Sequence, residues 1–188
     1  MKKINDVLIF VIGVLLFLIS YSFDAEINLF FKNVKFPVFD FVLGIVTNFG
    51  VAVLVTLLIP SIILFKKNKK IVYLLWLTFL ISFVLAFVIK LIVIRQRPIE
   101  TFTYPFTSIL NYSFPSMHSM VAFSLLPLLV KYMPRHRYSW IAFAFFVGFS
   151  RVFFGFHFLS DVVFGALSGY VIGDYLLELY EKKKLWIK

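Results

Sequence analysis

The chain has 188 residues; 62% are hydrophobic, 26 are phenylalanine and only 15% are charged, with a mean hydropathy of +0.97. A soluble domain carries roughly 25% charged residues, so this composition excludes an ordinary water-soluble domain and points to a helical membrane protein. The net charge of +10 comes largely from short lysine clusters between apolar runs, a pattern of cytoplasmic loops and anionic-lipid contacts rather than of a nucleic-acid surface. Without cysteine there is neither a disulfide frame nor a thiolate metal site.

Six apolar segments follow one another, at roughly 7–23, 41–65, 71–94, 116–133, 139–156 and 158–180, each able to cross a hydrocarbon core of about 30 Å. No polar linker, low-complexity tract or internal repeat divides them, so residues 1–188 are expected to form one membrane-embedded domain. Lys2 and Lys3 precede the first span, which reads as a retained anchor or a signal peptide, the anchor being the expectation. Segment 24–40 reads as a connection carrying Asp24, Glu26 and Asp40. Lys66, Lys67, Lys69 and Lys70, the basic loop around His136, and the lysine-rich tail then alternate with the less basic connections. The positive-inside rule puts both termini and these loops in the cytoplasm. The expected fold is an all-α, polytopic six-helix bundle in the inner or plasma membrane.

Three clusters of ionisable residues interrupt the later spans, where such groups are costly and usually serve a site or a pathway. The third span ends Lys90-Leu91-Ile92-Val93-Ile94-Arg95-Gln96-Arg97-Pro98. Lys90 and Arg97 lie two helical turns apart and are expected to share a face, as an anion site or as interfacial anchors; Arg95 reads as an anchor. The fourth span opens Pro115-Ser116-Met117-His118. Proline suits a first helical turn, and the free N–H groups there attract anions. The Ser116 hydroxyl can donate to a phosphate oxygen, and His118 can protonate a leaving oxygen or act as an interfacial hydrogen-bonding group. Ser150-Arg151 and then His157 and Asp161 straddle the fifth and sixth spans. Residues four apart meet on one helical face, where a carboxylate can orient an imidazole and stabilise its charged form, and an arginine fork suits phosphate oxygens. His136 reads as a solvated loop residue. With six spans starting inside, all three clusters fall at the extracytoplasmic face.

At these residues the chain resembles the type 2 phosphatidic acid phosphatase superfamily, whose pattern is K-x6-RP, PSGH and SR-x5-H-x3-D. The matches are Lys90 to Pro98, Pro115 to His118, and Ser150 to Asp161, in order and with the internal spacings kept. The resemblance covers about the last hundred residues and departs at Met117, where glycine is usual; the backbone N–H survives, while the side chain is expected to add bulk beside the pocket. It implies a six-span core and a lipid phosphatase, with His157 as nucleophile forming a phosphohistidine, Asp161 orienting it and His118 as acid and base. Lys90, Arg97, Arg151, Ser116 and the Met117 backbone would hold the phosphoryl oxygens.

No metal or cofactor is expected, since Mg²⁺ in phosphate sites leans on carboxylates and the motifs supply cations instead. The expected partners are the bilayer and a phosphorylated membrane lipid, with undecaprenyl diphosphate ahead of phosphatidylglycerol phosphate, phosphatidic acid and lipid A 1-phosphate. A lipid phosphotransferase using the same histidine and a non-enzymatic lipid carrier are the alternatives; the related vanadium haloperoxidases are soluble. The aromatic segment 101–112 reads as a lipid-guiding cap or a plain interfacial loop. Gly165, Gly169 and Gly173 are expected to pack the last span within its own bundle, and Asn48 and Asp174 to be internal hydrogen-bonding groups.

Overall fold

A computed structural model describes residues 2–34, 37–98 and 111–183. Among the described residues all regular structure is helical, in the order α1 (Lys2–Ser22), α2 (Asp24–Asn33), α3 (Pro37–Val46), α4 (Phe49–Val53), α5 (Ile59–Phe65), α6 (Lys69–Val93), α7 (Met117–Tyr132), α8 (Arg137–Phe153) and α9 (Leu159–Glu181). A π-helical turn, Leu54–Leu58, joins α4 to α5. The expected connection over 24–40 is instead largely helical. Its acidic first turn, with Asp24 and Glu26, suits a helix N-terminus.

Two described helices, α6 and α9, are long and apolar enough to cross a membrane alone. The bent pairs, α1 with α2 at 57° and α3 with Phe49–Phe65 at 60°, raise the number to four. The 16 residues of α7 reach only about 24 Å at 1.5 Å per residue, so helix length alone does not give the expected six crossings. The exterior is nonetheless apolar: Phe41 (73%), Ile62 (74%) and Ile92 (73%) are largely exposed on different helices. Such a surface is suited to lipid rather than to water.

The seam between α7 and α9 organises the bundle. Hydrocarbon gives helices little hydrophobic reason to associate, so small residues that let backbones approach carry the packing. A Cβ on Gly165 would lie 2.7 Å from the Ser116 carbonyl oxygen, and one on Gly169 or Gly173 would overlap the carbonyls of Met120 and Ser124. Three glycines four apart thus face three α7 residues four apart, as expected for packing within the bundle. The register makes the two helices parallel, and Lys131 pairs with Glu181 at their far ends. Leu74, Leu75, Leu125, Leu128 and Leu177 fill the core beside this seam.

Asn48 caps α4, its Oδ1 accepting from the N–H groups of Gly50 (2.8 Å) and Val51 (3.3 Å). Asn48 is exposed rather than internal, and so is Asp174. Asp174 lies on an exposed face of α9, because the position after Gly173 is turned about 100° away from the inward stripe.

Candidate active site

The ends of α6 and α8 and the starts of α7 and α9 converge at one end of the bundle. The Ser116 N–H donates to the Asp161 carbonyl at 3.1 Å, tying the two helix starts together. Lys90 is buried at 2% exposure, with Nζ donating to the carbonyls of Tyr112 (2.6 Å) and Ser113 (3.3 Å). It is therefore not an interfacial anchor.

The helical face expected to join Lys90 to Arg97 does not exist. α6 stops at Val93, and Ile94 adopts a left-handed conformation (φ 52°) with its N–H on the Lys90 carbonyl. The chain turns there, and that turn carries Arg97 back over the site. Arg97 Nη1 donates to the Phe156 carbonyl at 2.7 Å and lies 3.5 Å from His157 Nε2.

His157 precedes α9 rather than belonging to it, since Phe158 is the N-cap. Nδ1 lies 3.6 Å from Asp161 Oδ2, and both residues are nearly inaccessible, at 2% and 0%. Asp161 occupies the third position of α9. Its Oδ2 accepts from the Phe158 N–H at 2.9 Å, and its Oδ1 from Arg95 Nη1 at 2.8 Å, so hydrogen bonds to both oxygens fix the carboxylate. Burial, then the charges of Lys90, Arg151 and Arg97, hold the His157 pKa well below the usual histidine range. A neutral ring in that position keeps a lone pair for attack.

Arg151 is buried at the end of α8. Its Nη1 donates to the Thr47 hydroxyl (2.7 Å) and carbonyl (3.1 Å), and its guanidinium covers the Phe156 ring at 4.5 Å. The His118 ring meets Phe49 edge-on at 4.9 Å. Residues just beyond α3 thus brace both an arginine and a histidine of the later motifs.

Ser116 is fully buried as the N-cap of α7 and accepts from the Ser119 hydroxyl at 3.0 Å. Pro115 therefore lies before the helix rather than in its first turn. The Met117 side chain packs into a buried cluster with Ala86 and Met120, so its bulk goes into the core rather than into the expected pocket. His136 is exposed, as a solvated loop residue should be. The segment proposed as a lipid guide lies outside the described residues, except for Asn111 and Tyr112.

Sequence spacing missed a second set of residues. Arg95 is no interfacial anchor: Nη1 donates to Ser160 Oγ (2.7 Å) as well as to Asp161, and Nη2 donates to Asp24 Oδ2 (2.8 Å). Asp24, read as an acidic loop residue, is 5% exposed. An ionisable residue beside the apolar aromatic stretch of the first span was the available signal.

The fold is that of a PAP2-type membrane lipid phosphatase, a hydrolase class. The PAP2 superfamily model matches residues 72–185, more than half of the chain, and the chain belongs to that superfamily.

Two solved structures are similar. The first transmembrane PAP2-type phosphatidylglycerolphosphate phosphatase from Bacillus subtilis is 25% identical, with a TM-score of 0.73 over 96% of this chain and 98% of that one. LpxE from Aquifex aeolicus is 26% identical, with a TM-score of 0.68 over 82% of this chain and 94% of that one. None of the curated proteins matches the sequence. The chain is a multi-pass membrane protein like these relatives.

Proposed function

We propose that residues 1–188 form a single metal-independent phosphatase that hydrolyses a lipid phosphomonoester or diphosphate through a phosphohistidine. The observation that carries this reading is the orientation of the His157 ring, with Nδ1 toward Asp161 Oδ2 and Nε2 toward Arg97 Nη1. In the first step Nε2 attacks phosphorus, the P–O bond to the leaving group breaks, and His118 gives that oxygen its proton. The ring now carries positive charge, and the 3.6 Å approach of Asp161 stabilises it. Catalytic hydrogen bonds of this kind tighten when charge develops. In the second step His118 takes a proton from water, the water oxygen attacks phosphorus, and the N–P bond breaks to return neutral His157 and free phosphate. Lys90, Arg97, Arg151 and the first N–H groups of α7 hold the phosphoryl oxygens. Ser116 is proposed to join them, its cap role fixing those N–H groups.

The proposed setting is six crossings with both termini in the cytoplasm and the site at the extracytoplasmic face of the inner or plasma membrane. The parallel α7 and α9, both starting at the site, support that arrangement. Undecaprenyl diphosphate is the first proposed substrate. Phosphatidylglycerol phosphate stands second, supported by the activity of the Bacillus subtilis relative, ahead of phosphatidic acid and lipid A 1-phosphate.

The test is phosphate release from these four lipids in detergent, wild type against His157→Ala. Release that persists in excess EDTA and vanishes in His157→Ala is expected. Strict dependence on added Mg²⁺ would remove the mechanism, and substantial turnover by His157→Ala would remove His157 as nucleophile. Transfer of the phosphoryl group to a second lipid without phosphate release would favour a phosphotransferase, and lipid binding unaltered by His157→Ala a carrier.

A further inference from the structure

We infer that Asp24, through Arg95, is a positioning residue for the His157–Asp161 pair, setting the charge on Asp161 that the reaction uses. The inference rests on the phosphohistidine reading above and adds a residue from outside the 72–185 family match.

The contacts form a closed ring behind the site. Arg95 Nη1 donates to Asp161 Oδ1 at 2.8 Å and Nη2 to Asp24 Oδ2 at 2.8 Å. Asp24 Oδ1 accepts from the Ser160 N–H at 2.9 Å, and its Oδ2 accepts from the Ser160 hydroxyl at 2.5 Å. Asp24 therefore caps the first turn of α9 from another helix, one residue from Asp161. The Phe158 ring covers the Arg95 guanidinium at 4.0 Å and the Tyr21 ring lies 5.4 Å away, shielding the ring from solvent.

Charge explains why a second carboxylate is there. Asp161 must stabilise an imidazole that becomes cationic as it bonds to phosphorus. A half-buried guanidinium in direct contact with the buried Asp161 opposes this, because its charge offsets the carboxylate's. With Asp24 on its other edge, one cation faces two carboxylates and the group keeps a net negative charge. Arg95 then serves as a rigid bidentate strut that orients Asp161 without neutralising it. The cations that act on His157, Lys90, Arg151 and Arg97, with Arg97 Nη1 3.5 Å from Nε2, make that residual negative charge the counterweight the ring needs.

Asp24→Asn removes the charge and the acceptor for Arg95 while keeping the size, since the amide oxygen can still accept from the Ser160 N–H. The expected outcome is a fall in kcat on the order of tenfold, as when partners that orient a reactive ligand are removed, with KM held within about twofold, the mark of an interaction made in the transition state. Vanadate, which resembles the five-coordinate phosphorus, should bind more weakly by a similar factor, and Asp24→Glu should restore most of both losses. Wild-type kcat and vanadate affinity in Asp24→Asn would overturn the inference. Equal losses in Asp24→Asn and Asp24→Glu, accompanied by a lower melting temperature in detergent, would also overturn it by making Asp24 a structural cap only. Should the wild-type protein release no phosphate from any of the four lipids, the functional reading fails by itself. Vanadate binding followed by vanadium NMR then decides the role of Asp24 separately: weakened binding in Asp24→Asn upholds it, and unchanged binding overturns it.

Discussion

The α7–α9 seam and the α1–α3 region meet at the same site on different terms. In the seam, backbones touch along three successive turns and a Cβ at any of the three glycines would meet backbone. In α1–α3, apolar faces stand open, with Val38 74% and Phe41 73% exposed, and the contribution to the site comes through two polar residues, Asp24 and Thr47. One region fixes the site by close packing, the other by a few buried hydrogen bonds reaching in from a looser periphery. Their sensitivities to substitution should differ accordingly.

The largest effect is expected at Gly173. An added Cβ overlaps the Ser124 carbonyl, which belongs to backbone and cannot rotate away. Gly173→Ala should cost about 3 kcal/mol or more through overpacking, read by thermal unfolding in detergent; a wild-type melting curve would show that the seam is slack. Met117→Gly comes next. Removing a buried side chain from the Ala86 and Met120 cluster should cost about 2–4 kcal/mol without raising phosphate release. A gain in turnover would restore the idea that Met117 obstructs the pocket.

Thr47→Val keeps the carbonyl that Arg151 uses but deletes the hydroxyl acceptor 2.7 Å from Arg151. Loss of that bond should lower kcat/KM roughly tenfold, as for a hydrogen bond to a charged group, with little change in melting temperature. Unchanged kinetics would mean that the Thr47 carbonyl alone fixes Arg151. The smallest effect belongs to Gly44, where an added Cβ meets nothing within 4 Å. Gly44→Ala should leave activity intact and stabilise α3 by about 0.5–1 kcal/mol through backbone entropy. A loss at Gly44 as large as that at Gly173 would erase the contrast between the two regions.

Sequence spacing carried the parts of the site held together by short range. His157 and Asp161 are four apart and meet; Ser116, Met117 and His118 share one helix start; the glycine stripe reads as a packing face because its period matches the helix. Where the chain bends, spacing misled. Spacing puts Lys90 and Arg97 on a common helical face, yet the helix ends between them and a left-handed Ile94 makes the turn. Contacts across long separations left no local trace: Arg95 meets Asp24 across 71 positions, and Arg151 meets Thr47 across 104. A loop reading of 24–40 also concealed that Asp24 opens a helix and faces inward. Helix length among the described residues gives two to four crossings, because two of the apolar stretches form bent pairs.

The chain reversal at Ile94 has a consequence for spacing. Beyond it, Arg97 serves His157 and Arg95 serves Asp161, so two guanidiniums two residues apart grip the two ends of one reactive couple. Two residues of chain reach at most about 7 Å, so the two forks are tied to neighbouring positions. Replacing the exposed Gln96 side chain is therefore expected to change phosphate release less than inserting or deleting one residue between the two arginines.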